Sequence, residues 1–327
     1  MAGLLFAPTT STFKMPRSAR ALLLKTDLRF QPSATQEELG ALSDELKGHV
    51  VHSLTIEKKA KKLDGLPEFP AAIQKSVKRV SIDAPAFTDW HSLSQFESLE
   101  ELSVLYSCKT LPEDFSFLRN VGTLRVINSK ATKLTKLPDV STLELVDMKI
   151  PELPALPASL TKLKLGGLKK VKQLPDVFGD LPQLTEIRLE HMTLRGLPPS
   201  LIQHTGLETL HLEYTNLSKL APKDAIDLPK LRTLRLEGRF RKWPKKVSLP
   251  ALDDLNLLCW VTVLPELPDT ITKFRVVAPL QEVTPRFAAL ANATITCFAE
   301  IKKDLDPAVL EAWGKRLGTV EAEPYVG

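Results

Sequence analysis

LTEIRLEHMTLRGLP from Leu184, LETLHLEYTNLSKLA from Leu207 and LRTLRLEGRFRKWP from Leu231 are three copies of one pattern. Each opens with LxxLxL or LxxIxL, and the starts lie 23 and 24 residues apart. A fixed period of this size belongs to stacked architectures, in which each unit buries its apolar face only against its neighbours. Alternation within LxxLxL predicts a short strand. The fourth and sixth positions face the core and the third, fifth and seventh face out.

The pattern extends in both directions. Copies begin at Val51, Val77, Leu99, Val121, Val140 and Leu160 before the three quoted stretches, and at Leu252 and Ile271 after them, with a degenerate copy near Asn292. Every copy winds the same way, so the strands are expected to stack as one parallel sheet at about 4.8 Å spacing. The opposite side varies. LPALPASL from Leu153 and LPELPDTI from Leu264 are predicted to be extended, because proline fixes its own φ and pushes its predecessor out of the helical region. APKDAIDLPK from Ala221 and LPPSLIQHTG from Leu197 leave room for a short 3₁₀ or α turn.

An open solenoid core needs covers at both ends. Residues 19–50 are assigned as the N-terminal cap. ALLLKTDLRF from Ala21 reads as one strand, and the stretch from Ser33 reads as a helix with Thr35 and Glu38 in a capping box and Gly48 as its stop. Residues 1–18 read as a disordered arm, with a transit peptide or Ser/Thr-rich export signal as the other reading. Repeats occupy 51–298. Residues 299–327 form a C-terminal helical cap in which Asp306 caps DPAVLEAWGKRLG, Gly318 ends it, and Leu310, Trp313 and Leu317 make its buried stripe.

These motifs identify the chain as similar to the leucine-rich repeat family. The resemblance implies an α/β solenoid: a curved horseshoe of about eleven to twelve repeats with a parallel concave sheet, an extended or 3₁₀ convex side and helical caps. LPALPASLTKLKL and LPELPDTITKFRV resemble the repeats of secreted bacterial effectors, including effector-type ubiquitin ligases. LPEDFSFLRNVGTLRV from Leu111 looks like the general intracellular repeat. Family repeats place Asn at the ninth position, but here it holds Ser107, Ser129, Met148, Leu168, Met192, Thr215, Arg239 and Trp260, which predicts looser turns. The ligases also need a Cys-x-Asp motif, which none of Cys108, Cys259 and Cys297 supplies.

Composition narrows the function. Hydrophobic residues make up 43 % of the 327, aromatics only 6 %, and Pro (25) outnumbers Gly (14). Of the net charge of +5, all lies in residues 1–80, leaving a neutral repeat body and arguing against a nucleic-acid groove. Three scattered cysteines without CxxC fit a reducing compartment. No apolar run approaches the length needed to cross a membrane. Phosphate-loop, dinucleotide, HExxH and GxSxG motifs are missing from the sequence. The expectation is a monomeric, non-enzymatic protein, without cofactor or metal, in the cytoplasm or exported without a classical signal peptide.

The outward positions carry the remaining signal. Leu105, Ile127 and Val146, with Tyr106 beside them, are apolar residues aimed outward from adjacent strands. Such surface marks a partner site unless neighbouring side chains cover it. Farther on, Glu190, Glu213 and Glu237 form a column beside Arg188, His211 and Arg235, with Tyr214 at its edge. This is either a self-neutralised ladder or an ionic recognition patch. RFRKWPKK from Arg239 packs five basic residues into eight, with Phe240 and Trp243 expected to turn inward. It is a solvated edge or a site for an acidic partner, and EKKAKK from Glu57 has the same two readings. The function expected from these features is binding of a protein partner on the concave face, effector-like in kind. The alternatives are an enzyme inhibitor of immunity type, whose acidic ladder blocks a basic active site, and a nucleic-acid or membrane-surface binder acting through the basic N-terminal region.

Overall fold

The computed structural model describes residues 21–24, 27–30, 50–56, 64–106, 108–217 and 225–320. The N-terminal arm, the helix expected from Ser33, the basic stretch from Glu57 and Ser107 lie outside them. The chain divides into two compact units, Met1–Ile150 and Pro151–Gly327.

In the first unit the strands are β1 (Ala21–Leu24), β2 (Asp27–Phe30), β3 (Ser53–Ile56), β4 (Arg79–Ile82), β5 (Glu101–Leu105), β6 (Thr123–Ile127) and β7 (Thr142–Val146). From β2 to β7 each pairs parallel with the next. The stretch from Ala21 is not one strand. It is a hairpin in which β1 runs antiparallel to β2, with Leu24 opposite Asp27. A ten-residue strand would overhang partners half its length. Folded back, it pairs the edge of β2 that a parallel stack would leave open.

One backbone contact recurs at the start of each repeat. The carbonyl of the second motif position accepts from two successive amides of the following repeat. His52 O takes Lys78 and Arg79 N–H at 2.9 and 3.1 Å, Lys78 O takes Glu100 and Glu101, and Glu100 O takes Gly122 and Thr123. This shared acceptor sets the stagger before the ladder begins, so the strands that have it enter in register. The inward positions are then buried throughout, Leu54 with Ile56, Val80 with Ile82, Leu102 with Val104, Leu124 with Val126, and Leu143 with Leu145.

The second unit repeats the scheme with β8 (Lys162–Gly166), β9 (Glu186–Glu190), β10 (Thr193–Leu194), β11 (Thr209–Glu213), β12 (Asn216–Leu217), β13 (Ala225–Asp227), β14 (Thr233–Glu237), β15 (Lys246–Ser248), β16 (Asp254–Leu258), β17 (Lys273–Leu280), β18 (Thr294–Phe298) and β19 (Leu317–Val320). Its sheet order is β8-β9-β11-β14-β16-β17-β18-β19, all parallel. The shared acceptor reappears at Thr161, Thr185, Glu208, Arg232 and Asp253. A strand is present at every expected repeat, including the degenerate one near Asn292, which is β18.

The opposite side follows the prolines. The segments at Leu153 and Leu264 contain no helix, whereas Pro199–Ile202 makes a short α turn. The described part of the segment from Ala221 departs from the expected turn. It is β13, which pairs parallel with β15 through Ala225–Lys246 and Asp227–Ser248.

The C-terminal cap also differs in detail. Asp306 caps the helix Pro307–Trp313 as expected, accepting from the Ala308 amide at 2.7 Å. Gly314, at φ 49°, ends it instead of Gly318. The inward residues are Val309 and Trp313, Leu310 is only half-buried, and Leu317 belongs to β19. The phase is set by Trp313, whose Nε1 donates to Thr284 O at 2.8 Å while its ring meets Phe274 at 6.3 Å.

Two predictions follow from this packing. Leu210 and Leu212 are buried in the second unit, so Leu210→Ala should lower unfolding stability by about 2–5 kcal/mol, and a loss under about 1 kcal/mol in chemical denaturation would contradict the register. Cys108, Cys259 and Cys297 are free and buried, and burial pushes the thiols of Cys108 and Cys259 up to about 11. Reductant should therefore leave the melting temperature unchanged and alkylation of the native protein should be slow; a clear drop in melting temperature would contradict the assignment of three free thiols.

Candidate functional site: the outward sheet faces

In the first unit, strand register brings Leu105, Ile127 and Val146 side by side on β5, β6 and β7. They are half-buried, less open than the alternation alone implied. Strands one spacing apart shield each other's flanks. Tyr106 is different, with 54 % of its surface exposed. The column is bordered on the same face by a paired charge row, in which Arg125 bonds Glu101 and reaches Glu144 at 3.3 Å. The site is thus an apolar strip with a tyrosine at its end and a neutralised ionic row along its side.

In the second unit, Arg188, His211 and Arg235 are in register on β9, β11 and β14, as are Glu190 and Glu213 on β9 and β11. The charges are matched, in part outside the pairs the columns suggested. Glu190 is held by Lys164 at 3.1 Å, and Arg188 turns to Glu186 at 2.6 Å. Arg235 serves two carboxylates, donating to Glu237 at 2.8 Å and lying 3.5 Å from Glu213. Glu237 is 6 % exposed, buried beneath its arginine. Hydrogen bonding to Arg188, with the charges of Arg188 and Lys162, outweighs burial and holds the Glu186 carboxyl below its ordinary range.

His211 sits between the two arginines. Burial, then the positive charge of Arg188, lowers its pKa below the ordinary 6.5, against the pull of Glu213. Its Nδ1 lies 3.8 Å from Glu213, too far for a hydrogen bond, and has no hydrogen-bond partner among the described residues. Beside it Tyr214, 47 % exposed, stacks on His191 with centroids 5.0 Å apart and planes 6° from parallel.

One feature that the sequence pattern did not announce recurs in each unit. The residue after the seventh position is left-handed in seven repeats: Tyr106, Asn128, Asp147, Gly167, His191, Tyr214 and Gly238. Asn, Asp and Gly at four of those sites were the readable signal. This turn replaces the missing asparagine ladder, and it is not loose. Asn128 N–H reaches Val146 O at 2.8 Å, and His191 N–H reaches Glu213 O at 2.9 Å. The ninth-position side chain enters the core at Met148, Leu168 and Met192, and at Thr215 it bonds backbone, Oγ1 donating to Leu189 O at 3.0 Å, whereas Arg239 is exposed. Bulky residues pay a conformational cost in this region, so Tyr106, His191 and Tyr214 mark positions where the side chain matters more than the turn.

Among the described residues no group of three or more His, Cys, Asp or Glu is placed to hold a metal ion, and no helix is long and apolar enough to cross a membrane.

Residues 182–238 match the family described as leucine rich repeat. The repeat fold built above has the architecture of a leucine-rich repeat solenoid. A solved leucine-rich repeat protein of Leptospira interrogans is similar to it at 16 % identity, with a TM-score of 0.48 over 90 % of this chain and 88 % of that one. No curated protein matches the sequence.

The His211 environment makes a pH prediction. Its folded pKa is depressed, so the unfolded chain takes up the proton first as pH falls below 6.5, and stability is lost from there down through the folded pKa. Melting curves across this range should fall more steeply for the wild type than for His211→Gln. Parallel curves would rule out His211 as a source of the slope.

Proposed function

We propose that this chain is a protein-binding module without catalytic function, and that each unit offers a docking surface on the outward face of its sheet. The observation that carries the reading is Tyr106. It is largely exposed, held in a left-handed conformation that tyrosine disfavours, and set beside the Leu105–Ile127–Val146 strip. Binding energy concentrates in apolar and aromatic anchors of this kind, ringed by polar contacts. In the second unit the corresponding elements are Tyr214 and the ionic ladder of Arg188, Glu190, His211, Glu213, Arg235 and Glu237.

The ladder favours general protein recognition over an inhibitor's acidic plug. Its glutamates are already matched by Lys164 and Arg235, so little net negative charge is left for a basic active site. The extended LPALPASL and LPELPDTI segments support a bacterial, effector-like setting for the module.

Affinity purification with wild type and Ile127→Asp as paired baits tests the reading. A partner is expected that binds wild type and loses more than about tenfold in affinity to the variant, while circular dichroism and melting temperature stay unchanged. Glu213→Lys should act mainly on association rate and its salt dependence. A partner indifferent to both changes would remove the sheet face as the docking surface.

A further inference from the structure

Away from the sheet face, the second unit holds a groove of about 730 Å³ with residues 241–247 on one wall and 262–266 on the other. That volume lies within the range of ligand sites. Its charge is lopsided. Arg241, Lys242, Lys245 and Lys246 line it against one carboxylate, Glu266. All four cations are exposed, and among the described residues Arg241, Lys242 and Lys246 have no ion pair. On the sheet face of the same unit, Lys164, Arg188 and Arg235 each have one. Like charge concentrated along a concave wall focuses its field on whatever enters.

The groove is apolar where it is not cationic. Phe240 turns into the core as expected, but Trp243 does so only in part. Its ring contacts Phe240 edge-on at 5.3 Å and reaches the core beside Leu234 and Leu236, and it also lines the groove. Among the described residues its indole Nε1 has no acceptor, a costly state for a buried donor. Across from it Val263 is 49 % exposed, with Leu264 and Pro265 beside it.

The backbone supplies a third observation. β15 pairs with β13 on one side, and among the described residues the small sheet ends there. The segment that follows in the next repeat carries Pro265 and Pro268, which have no amide hydrogen to offer a ladder. The groove lies on this open side of β15, between Lys246–Val247 and Val263–Glu266. An unpaired edge beside a recess is the site at which an extended peptide adds a strand.

We propose that this groove binds an extended acidic segment of a protein partner. Its carboxylates meet Arg241, Lys242 and Lys246, its main chain runs along the open edge of β15, and an apolar side chain between the acids rests on Trp243 and Val263. A nucleic acid fits less well, because a half-buried tryptophan is not the exposed platform on which bases stack, and the open edge of β15 offers main-chain groups that a peptide backbone can pair. This site is separate from the sheet-face surfaces and stands without them.

The test uses the full chain and a fluorescein-labelled nonapeptide of glutamates and aspartates around two central leucines, followed by fluorescence anisotropy at low and physiological salt. Saturable binding is expected, weakened about tenfold or more by the double change Lys242→Glu with Lys246→Glu, and reduced by Val263→Asp. All three positions are exposed, and unchanged melting temperatures would confirm folding. A glutamine version of the peptide should not bind. The proposal is overturned if the glutamine peptide binds equally, if the charge-reversed variant binds the acidic peptide as wild type does, or if a single-stranded oligonucleotide of equal charge displaces the peptide at the same or lower concentration.

Discussion

Most repeats are tied to the previous one by a single carbonyl that accepts two successive amides, at His52, Lys78, Glu100 and Gly122 in the first unit and at Thr161, Thr185, Glu208, Arg232 and Asp253 in the second. The strands that follow are only four or five residues long in most repeats. In so short a strand a one-residue slip would carry both core residues to the solvent face. The shared acceptor removes that freedom at the point of entry. Everything functional inherits the result, since the outward columns are columns only because the inward pairs are held in step.

Close stacking also dictates the electrostatics of the outward face. Side chains on neighbouring strands meet across one strand spacing, so a column of like charge must be answered locally. Arg235 lies against Glu213 and Glu237, Lys164 holds Glu190, and Arg188 holds Glu186. His211, hemmed in by two arginines, keeps its proton off more readily than an open imidazole. Around the ladder the sheet face therefore answers its own charge, whereas among the described residues Arg241, Lys242 and Lys246 along the groove have no ion pair.

The end of each strand carries the other constraint. Seven repeats turn through a left-handed residue, and in five of them the next side chain, Ser129, Met148, Leu168, Met192 or Thr215, is buried. Where that residue is Asn128, Asp147, Gly167 or Gly238 the geometry costs little. Where it is Tyr106, His191 or Tyr214 the chain accepts strain to keep an aromatic ring at the rim of the face, two of them stacked on each other.

The sequence by itself determined the repeat period, the strand at each copy and the identity of the core, because LxxLxL alternation leaves one buried face and parallel winding leaves one stacking order. It also placed Leu105, Ile127 and Val146 in one column and the glutamates beside the arginines. Only the tertiary structure decided how those residues meet. That Arg188 serves Glu186, that Ala21–Phe30 folds back as a hairpin, that Gly314 ends the last helix and that β15 keeps an open edge above a cationic groove all depend on contacts between residues about twenty positions apart or on competing local geometries. Periodicity specifies which face a side chain takes. It does not specify which neighbour within reach it bonds, since that choice is settled by distances only the packed chain defines.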